Sequence, residues 1–473
     1  MVPRSKSCGV MLGVVIASLC APILGRAASP SQFEALEPLL QEALERHLEV
    51  RAAEALVAAT SERPSQAGAL PDPTFTIGYQ NDGAGISLGE QEMTQLAFVW
   101  SQAIPFPGKR GLAADVSGRD VERARARLDR VRLGVRADVE RAWIRWALAN
   151  EQLDLVDEES VALAQIEAVS RARYSSGLGS QQDVLRAQIE IIRLDQLRVG
   201  ERAAQRIALA EINRLRDRGA AEPLAVPAAL VAEIPLPERE AFLAQAFEQS
   251  PELRDATTIE DQAGLQHAAA EKNLLPDFFV SGGYMNRGGL DPMWQASAGI
   301  SVPLWASDKQ TPAIREAEAR GRGARALAES TKLLLRARCE QRLDVLDAIE
   351  TSLRLDKDGV LPQDQLAAEA SIASYQTGQV PFVAVLEAVV NLYRDRATYL
   401  ARRADLAATR AALDELSLAP VDVSSGGERG AMTPTGGGSG GAAMPVATSL
   451  PAAGAPAEVA ASAPSGGGSG MGM

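Results

Sequence analysis

The 473-residue chain has 61 acidic and 48 basic side chains and a formal net charge of −13, which argues against nucleic-acid binding. Aromatic residues make up only 4% of it, whereas Ala, Leu, Arg, Glu and Gln fill long stretches, so extended helices are favoured over a compact globule. The sequence has no nucleophile–histidine–acid arrangement, glycine-rich phosphate loop or HExxH motif. We therefore expect neither catalysis nor a cofactor.

Residues 1–27 have the pattern of a secretory signal peptide. A basic start is followed by an apolar run and by Gly25-Arg26-Ala27, which offers small residues at a cleavage point. Cys20 permits a lipoprotein signal as the alternative, but Leu19 precedes it where such signals usually have a small residue. An exported protein cleaved after Ala27 would keep Cys339 as its sole cysteine, and an internal disulfide would then be excluded.

The chain repeats one pattern at a distance of about 200 residues. Leu70-Pro71-Asp72 recurs as Leu275-Pro276-Asp277, an offset of 205 (70 to 275). Tyr174-x-x-Gly177 recurs as Tyr375-x-x-Gly378, an offset of 201 (174 to 375). Because prolines and glycines recur in the same order, we predict an internal duplication with repeats over 32–218 and 238–416.

Both copies are predicted to have the same order of elements: a short helix, two strands, a very long helix, a turn and a second long helix. The first copy has them near 32–60, 74–82, 93–104, 112–173 and 181–218. The second has them near 238–273, 278–286, 293–303, 311–374 and 382–416. A helix of about 60 residues is roughly 90 Å long, so we expect side-by-side packing as in coiled coils.

The predicted strands have one apolar face and one small or polar face, which is typical of tilted transmembrane strands and also of a soluble sheet packed on helices. After the signal, no stretch approaches the roughly 20 apolar residues of a membrane helix. Four strands cannot close a barrel, and unpaired edges are not tolerated in lipid, so a membrane role requires several chains in one barrel. Three chains would give twelve strands, enough for a water-filled bore. The candidate lipid-facing residues are Leu96, Phe98, Trp100, Trp294 and Ile300.

Two signatures, Tyr174-Ser175-Ser176-Gly177…Asp183-Val184-Leu185 and Tyr375-Gln376-Thr377-Gly378…Val385-Leu386-Glu387, make residues 32–416 resemble TolC-like outer-membrane efflux proteins. The resemblance implies a mixed α/β membrane protein that is mainly α-helical. It would be a homotrimer with a twelve-stranded barrel in the outer membrane and a coiled-coil helical barrel in the periplasm. Its partners would be outer-membrane lipid, a periplasmic adaptor and an inner-membrane pump of the RND type.

Residues Pro71-Asp72-Pro73 and Pro105–Arg110, which flank the first strand pair, are more similar to the heavy-metal branch (CusC- and CzcC-like) of that family. This implies export of metal cations, with drugs or other small molecules as the alternative cargo. A soluble periplasmic coiled-coil adaptor or scaffold is the alternative of a different class.

The resemblance also implies roles for residues near the two turns. Gly177 and Gly378 would form the periplasmic tips, although a turn alone explains a glycine there. Glu387 would face the pore constriction. The alternative is that it is an ordinary solvated glutamate on the helix surface. Asp183 and Tyr375 would join neighbouring helix pairs by a charge-assisted hydrogen bond when the tip is closed, and Asp183 is also explained by the helix dipole.

Residues 421–473 consist mainly of Gly, Ala, Pro and Ser, so this tail is predicted to be disordered. It ends in Ser469-Gly470-Met471-Gly472-Met473. Since thioethers are good ligands of Cu(I), Met471 and Met473 are candidates for a metal site. A flexible tail with incidental methionines is the alternative.

Overall fold

The computed structural model describes residues 31–82, 84–88, 92–224, 230 and 237–420. The predicted signal peptide (1–27) and the predicted tail (421–473), with Met471 and Met473, lie outside these residues. Within the described ranges the helices are α1 (Ser31–Arg46), α2 (Leu48–Ser61), α3 (Arg63–Gly68), α4 (Lys109–Ser175), α5 (Gln181–Leu215), α6 (Arg239–Gln249), α7 (Pro251–Lys272), α8 (Gln310–Leu355), α9 (Leu361–Gln376) and α10 (Phe382–Asp414). The strands are β1 (Thr74–Gln80), β2 (Gln95–Ile104), β3 (Asp277–Arg287) and β4 (Leu290–Ser301).

Two helical hairpins form a wall. Helix α4 has 67 residues, about 100 Å at 1.5 Å per residue, and it returns through a tight turn as α5. The second hairpin consists of α8 and α9 followed by α10. Helix α4 packs against α5 on one side and α10 on the other, and α9 packs on α10, so the order across the wall is α5, α4, α10, α9. Helices α5 and α9 therefore form its two edges.

Small and branched aliphatic side chains fill the seams between these helices. Leu163 of α4, Ala187 of α5 and Val385 of α10 are almost fully buried and belong to one cluster near the tip. A second cluster, at the end of α10 away from the tip, includes Leu335 and Leu413. Narrow seams of Ala, Val and Leu let long helices approach closely, which explains why the sequence needs so few aromatic residues.

The helix predicted over 311–374 is interrupted. A five-residue π-helical turn, Asp356–Val360, separates α8 from α9. Pro362 stands in the first turn of α9. A proline has no N–H to donate, and its ring clashes with the carbonyl four residues earlier, so the backbone loosens just before it. The expectation of one regular helix was wrong at this point.

The four strands form one antiparallel sheet in the order β1-β2-β3-β4, and each strand lies within a few residues of its predicted bounds. The sheet has one face with small or polar side chains, where the hydroxyls of Ser281 and Ser297 are 2.7 Å apart, and an opposite apolar face. Strands β1 and β4 are unpaired at the outer edges of the sheet within the chain. The register places on one face Phe75, Ile77 and Tyr79, Phe278 and Tyr284, and the predicted lipid-facing set of Leu96, Phe98, Trp100, Trp294 and Ile300.

A charged joint fixes the passage from β2 into α4. The Asp277 carboxylate accepts hydrogen bonds from the Phe106 N–H and from Lys109 Nζ, both at 2.8 Å. Gly108 between them has φ 92°, a left-handed conformation, and a Cβ there would lie 2.5 Å from Lys272 Nζ. Glycine is required here because other residues are strained at positive φ. The sheet is thus held firmly on the first long helix.

Candidate functional site

The two Tyr-x-x-Gly motifs end α4 and α9 in the same way. Gly177 and Gly378 have φ of 74° and 77°, and each donates its N–H to the carbonyl of Tyr174 or Tyr375 at 3.0 Å. The residue after each glycine donates to the carbonyl five residues earlier. These are Schellman-type helix ends, in which a left-handed glycine satisfies carbonyls that the helix leaves free. Helix termination alone accounts for both glycines.

The two tyrosines have different environments. Tyr375 is buried, and its ring meets the ring of Phe382 edge-on at 5.7 Å. Its hydroxyl lies 3.5 Å from the Ser170 hydroxyl on α4. Tyr174, at the corresponding place in the first hairpin, is about half exposed (48%). Tyr375 therefore contributes to the contact between the two hairpins, whereas Tyr174 remains at the surface.

Arg173, which the sequence analysis did not single out, bridges the two turns. It donates to the carbonyls of Tyr375 (3.1 Å), Gln376 (3.4 Å) and Leu178 (3.3 Å), and its guanidinium lies 4.8 Å from the centre of the Tyr375 ring. Carbonyls at a helix end lack donors from their own helix, so a guanidinium can satisfy several at once. The only sequence signal is an arginine directly before the first motif, where the second copy has Ser374.

The predicted gate residues are only partly brought together. Asp183, in the first turn of α5, lines an open cleft of about 470 Å³ with Arg173, Tyr375 and Phe382. Among the hydrogen bonds of the described residues, none joins the Asp183 carboxylate to the Tyr375 hydroxyl. Glu387 is exposed on α10 and does not line this cleft. The roles of Asp183 and Glu387 stay predictions.

Ion pairs away from the tip join α4 to α10 and to Glu415, which directly follows α10. They connect acidic and basic side chains on the two hairpins at several levels along the wall, so the hairpins are tied together well away from the turns. Removing one partner of a partly buried pair leaves the other charge without its counter-charge, which destabilises the fold. The pairs are Glu158–Arg396 (2.8 Å), Glu151–Arg403 (3.3 Å) and Arg141–Glu415 (2.7 Å).

One of these pairs also holds Leu230, a described residue between α5 and α6. The Leu230 N–H donates to Glu151, and the Leu230 carbonyl accepts from Arg403. The Leu230 side chain is buried with Ala147 of α4 and Ala404 of α10. A carboxylate and a guanidinium thus hold both main-chain polar groups of Leu230 while its side chain fills an apolar gap between α4 and α10.

A carboxyl group in the same wall has a raised pKa. Partial burial of Glu159 on α4 raises its pKa to about 7, and the charge of Glu190 on α5 adds to the shift. Glu190 is itself paired with Arg193, three residues further along α5, at 2.6 Å. Folding therefore favours the protonated form of Glu159.

We expect Glu159→Gln to raise the melting temperature at pH 8 and to leave it unchanged near pH 4.5. The folded-state pKa exceeds the ordinary value of 4.5, so a penalty for the charged form builds up as the pH rises from about 4.5 to 7. Because the carboxyl is still partly solvated, we expect the substitution to stabilise the folded protein by only about 1 kcal/mol at pH 8. Thermal unfolding of detergent-solubilised protein at both pH values measures it. Glu158→Gln is the matched control and should lower stability; equal gains at both pH values contradict the assignment.

An antiparallel sheet with one apolar face, continued by helical hairpins of this length, has the fold of an outer-membrane channel protein. The chain belongs to the outer membrane efflux protein family, whose sequence profile matches residues 39–216 and 242–417. No helix in the described part of the chain has the length and hydropathy to cross a membrane. Among the described residues no group of three His, Cys, Asp or Glu could hold a metal ion.

The chain is 31% identical over 177 residues to the nickel-cobalt-cadmium resistance protein NccC of Alcaligenes xylosoxydans xylosoxydans, and the match spans 36% of this chain and 39% of NccC. The solved outer-membrane channel OprN is similar with a TM-score of 0.70 and 16% identity, covering 82% of this chain and 92% of OprN. CusC is similar with a TM-score of 0.67 and 16% identity, covering 81% and 91%. The expected fold, mainly helical with a small sheet, and the expected outer-membrane location are confirmed.

Proposed function

We propose that this protein is the channel subunit of a tripartite export system, a passive conduit from a periplasmic adaptor and an inner-membrane pump to the outside. The observation that carries the proposal is that its sheet and its helical wall are both open on two sides. Strands β1 and β4 are unpaired in the chain, and α5 and α9 are the edges of the wall. An unpaired strand edge is unstable in lipid, so other copies of the chain must complete both layers.

The edges of the wall carry exposed apolar side chains at coiled-coil spacing. On α5, Leu185, Ile189 and Ile192 follow one another at intervals of four and three, and each is about half exposed. On α8, which continues through the π-helical turn into the edge helix α9, Leu327 and Leu334 are seven residues apart and also exposed. This is the spacing that packs one helix against another. We propose that a second copy of the chain packs against these side chains. Three copies supply twelve strands, enough for an aqueous bore.

The cargo we propose is heavy-metal cations. The support is the similarity to NccC, whose name states resistance to nickel, cobalt and cadmium. The apolar sheet face, with Phe75, Ile77 and Trp294 each at least 70% exposed, would contact lipid, which disfavours the alternative of a soluble adaptor or scaffold. Export of drugs or other small molecules is the alternative for the same channel.

Deleting the gene in its host tests the proposal. We expect cellular nickel, cobalt and cadmium to rise several-fold in growth media that contain them, and plasmid-borne protein to reverse this. The protein should fractionate with the outer membrane and require detergent for extraction. Unchanged metal content with greater drug sensitivity would select the drug alternative, and a water-soluble monomer would eliminate the channel.

We expect Glu387→Gln to lower the preference of the reconstituted channel for cations over anions. Three exposed Glu387 carboxylates brought together near the tip of a trimer would create a negative potential that attracts cations. Reversal potentials in asymmetric KCl across planar bilayers measure the preference. Glu369→Gln, which removes another exposed carboxylate on α9, should leave the ratio unchanged. An equal ratio for both variants and the wild type would remove Glu387 from the constriction.

A further inference from the structure

The two strand pairs of the chain have the same register once their sequence offsets are applied. In the first hairpin Thr74 lies opposite Ser101, and in the second Phe279 lies opposite Gly299. The shift from Thr74 to Phe279 is 205 residues, the offset already found between Leu70 and Leu275. The shift from Ser101 to Gly299 is 198, the offset between Pro105 and Pro303. Sequence correspondence and backbone pairing therefore agree.

The same two sequence shifts can be applied to the pairing of β2 with β3 at the centre of the sheet, and they translate it into a pairing of β4 with β1. There Gln102 lies opposite Val280. A shift of 198 carries Gln102 to Ile300 on β4, and a shift back of 205 carries Val280 to Phe75 on β1. Since β1 and β4 are at opposite edges of one sheet, this pairing can form only between two copies.

We propose that β4 of one copy pairs antiparallel with β1 of the next copy in the register that sets Ile300 opposite Phe75. The same register sets Ala298 opposite Ile77 and Ala296 opposite Tyr79. This inference rests on the proposed channel function and gives that assembly a residue-level joint. The β4–β1 pairing between copies then has the same register as the β2–β3 pairing within one chain. Every strand of the assembled sheet therefore pairs with an equivalent neighbour.

The chemistry of the two edges fits this register. Ile300 and Ala298 lie on the apolar face of β4, and Phe75 and Ile77 lie on the apolar face of β1. A slip of one residue would set Phe75 opposite Gly299 or Ser301 and mix the two faces, which is costly where one face contacts lipid. Phe75 and Ile77 on β1 are 76% and 70% exposed, and Ile300 on β4 is 59% exposed, so both edge strands are uncovered in the single chain.

Slips of two residues keep the faces matched, so cysteine pairs are needed to distinguish them. We expect Ile77→Cys with Ala298→Cys, and Gly78→Cys with Ser297→Cys, to form disulfides between copies under mild oxidation. The off-register controls combine Ala298→Cys with Phe75→Cys or with Tyr79→Cys. A disulfide within one chain is excluded because β1 and β4 are three strand spacings apart, about 14 Å. Native Cys339 is fully buried, and the wild type controls for it.

Non-reducing gels should show covalent trimers for the in-register pairs at least fivefold more abundantly than for the controls. Two in-register pairs on opposite faces are used because one of them can be poorly oriented or disturb folding. Light scattering of each variant in detergent reports assembly separately. If the wild type is monomeric, both the proposed function and this inference are wrong. Trimers that cross-link best off register, or with neither in-register pair, would overturn the register and leave the channel intact.

Discussion

Arg173→Ala is expected to raise the single-channel conductance in planar bilayers several-fold, because it removes the side chain that bridges the two turns at the tip. Its guanidinium donates to carbonyls of Leu178, Tyr375 and Gln376 and lies against the Tyr375 ring. Hydrogen bonds from a charged donor contribute roughly 1.5–3 kcal/mol, less where water competes. A loss of about 2 kcal/mol shifts a closed–open equilibrium roughly thirtyfold.

Three variants separate this bridge from other effects. Arg173→Lys keeps the charge but not the planar fork, so an intermediate conductance is expected. Tyr375→Phe keeps the ring and the carbonyl and loses only the contact with Ser170 at 3.5 Å, so its effect should be small. Arg171→Ala is the matched control, since Arg171 pairs with Glu167 on the same helix. If Arg173→Ala and Arg171→Ala conduct alike, Arg173 does not hold the tip closed.

This bridge is a contact that the family resemblance did not suggest. The signature suggested a bond between Asp183 and Tyr375, and the structure places both residues on the same cleft. Within a single chain, Arg173 and main-chain carbonyls join the hairpins there, beside the contact between the Tyr375 and Ser170 hydroxyls. Main-chain acceptors leave no trace in a sequence, because every residue has one. Sequence reasoning could thus locate the two turns but not the contact that joins them.

Local patterns predicted much of the fold. Alternation along β2 and β4 placed Phe98, Trp100 and Trp294 on one face, and the strand register puts them there. The glycines of the two motifs were expected to end helices, and both have the left-handed conformation that this requires. Such features depend on residues a few positions apart, so a periodic sequence is sufficient to find them.

Features that join distant parts of the chain escaped prediction. Glu151, Leu230 and Arg403 form one clamp although long stretches of sequence separate them. Nothing in an arginine-rich, glutamate-rich helix marks the pair that turns inward, because most such pairs are solvated. The π-helical turn before Pro362 was not predicted for a different reason. A proline indicates that a helix is interrupted, but not which carbonyls lose their hydrogen-bond donors.

The assembly of the wall gives the second large effect: Ile189→Asp combined with Ile192→Asp is expected to abolish the trimer. Both side chains are about half exposed on α5, the edge helix that would meet the next copy. Burying each exposed half contributes on the order of 1 kcal/mol, and a desolvated carboxylate without a partner costs several more. Because each trimer would have three such seams, the losses recur three times.

Light scattering in detergent and native gels should then show monomers whose helix content by circular dichroism matches the wild type, since neither residue is in a core of the single chain. Val161→Asp is the matched control. Val161 is also exposed (60%), but it lies on α4, which already has neighbours on both sides within its own chain. That variant should remain trimeric. An intact trimer for the double variant would mean that α5 is not the seam, and the open edges of the wall would then need another occupant.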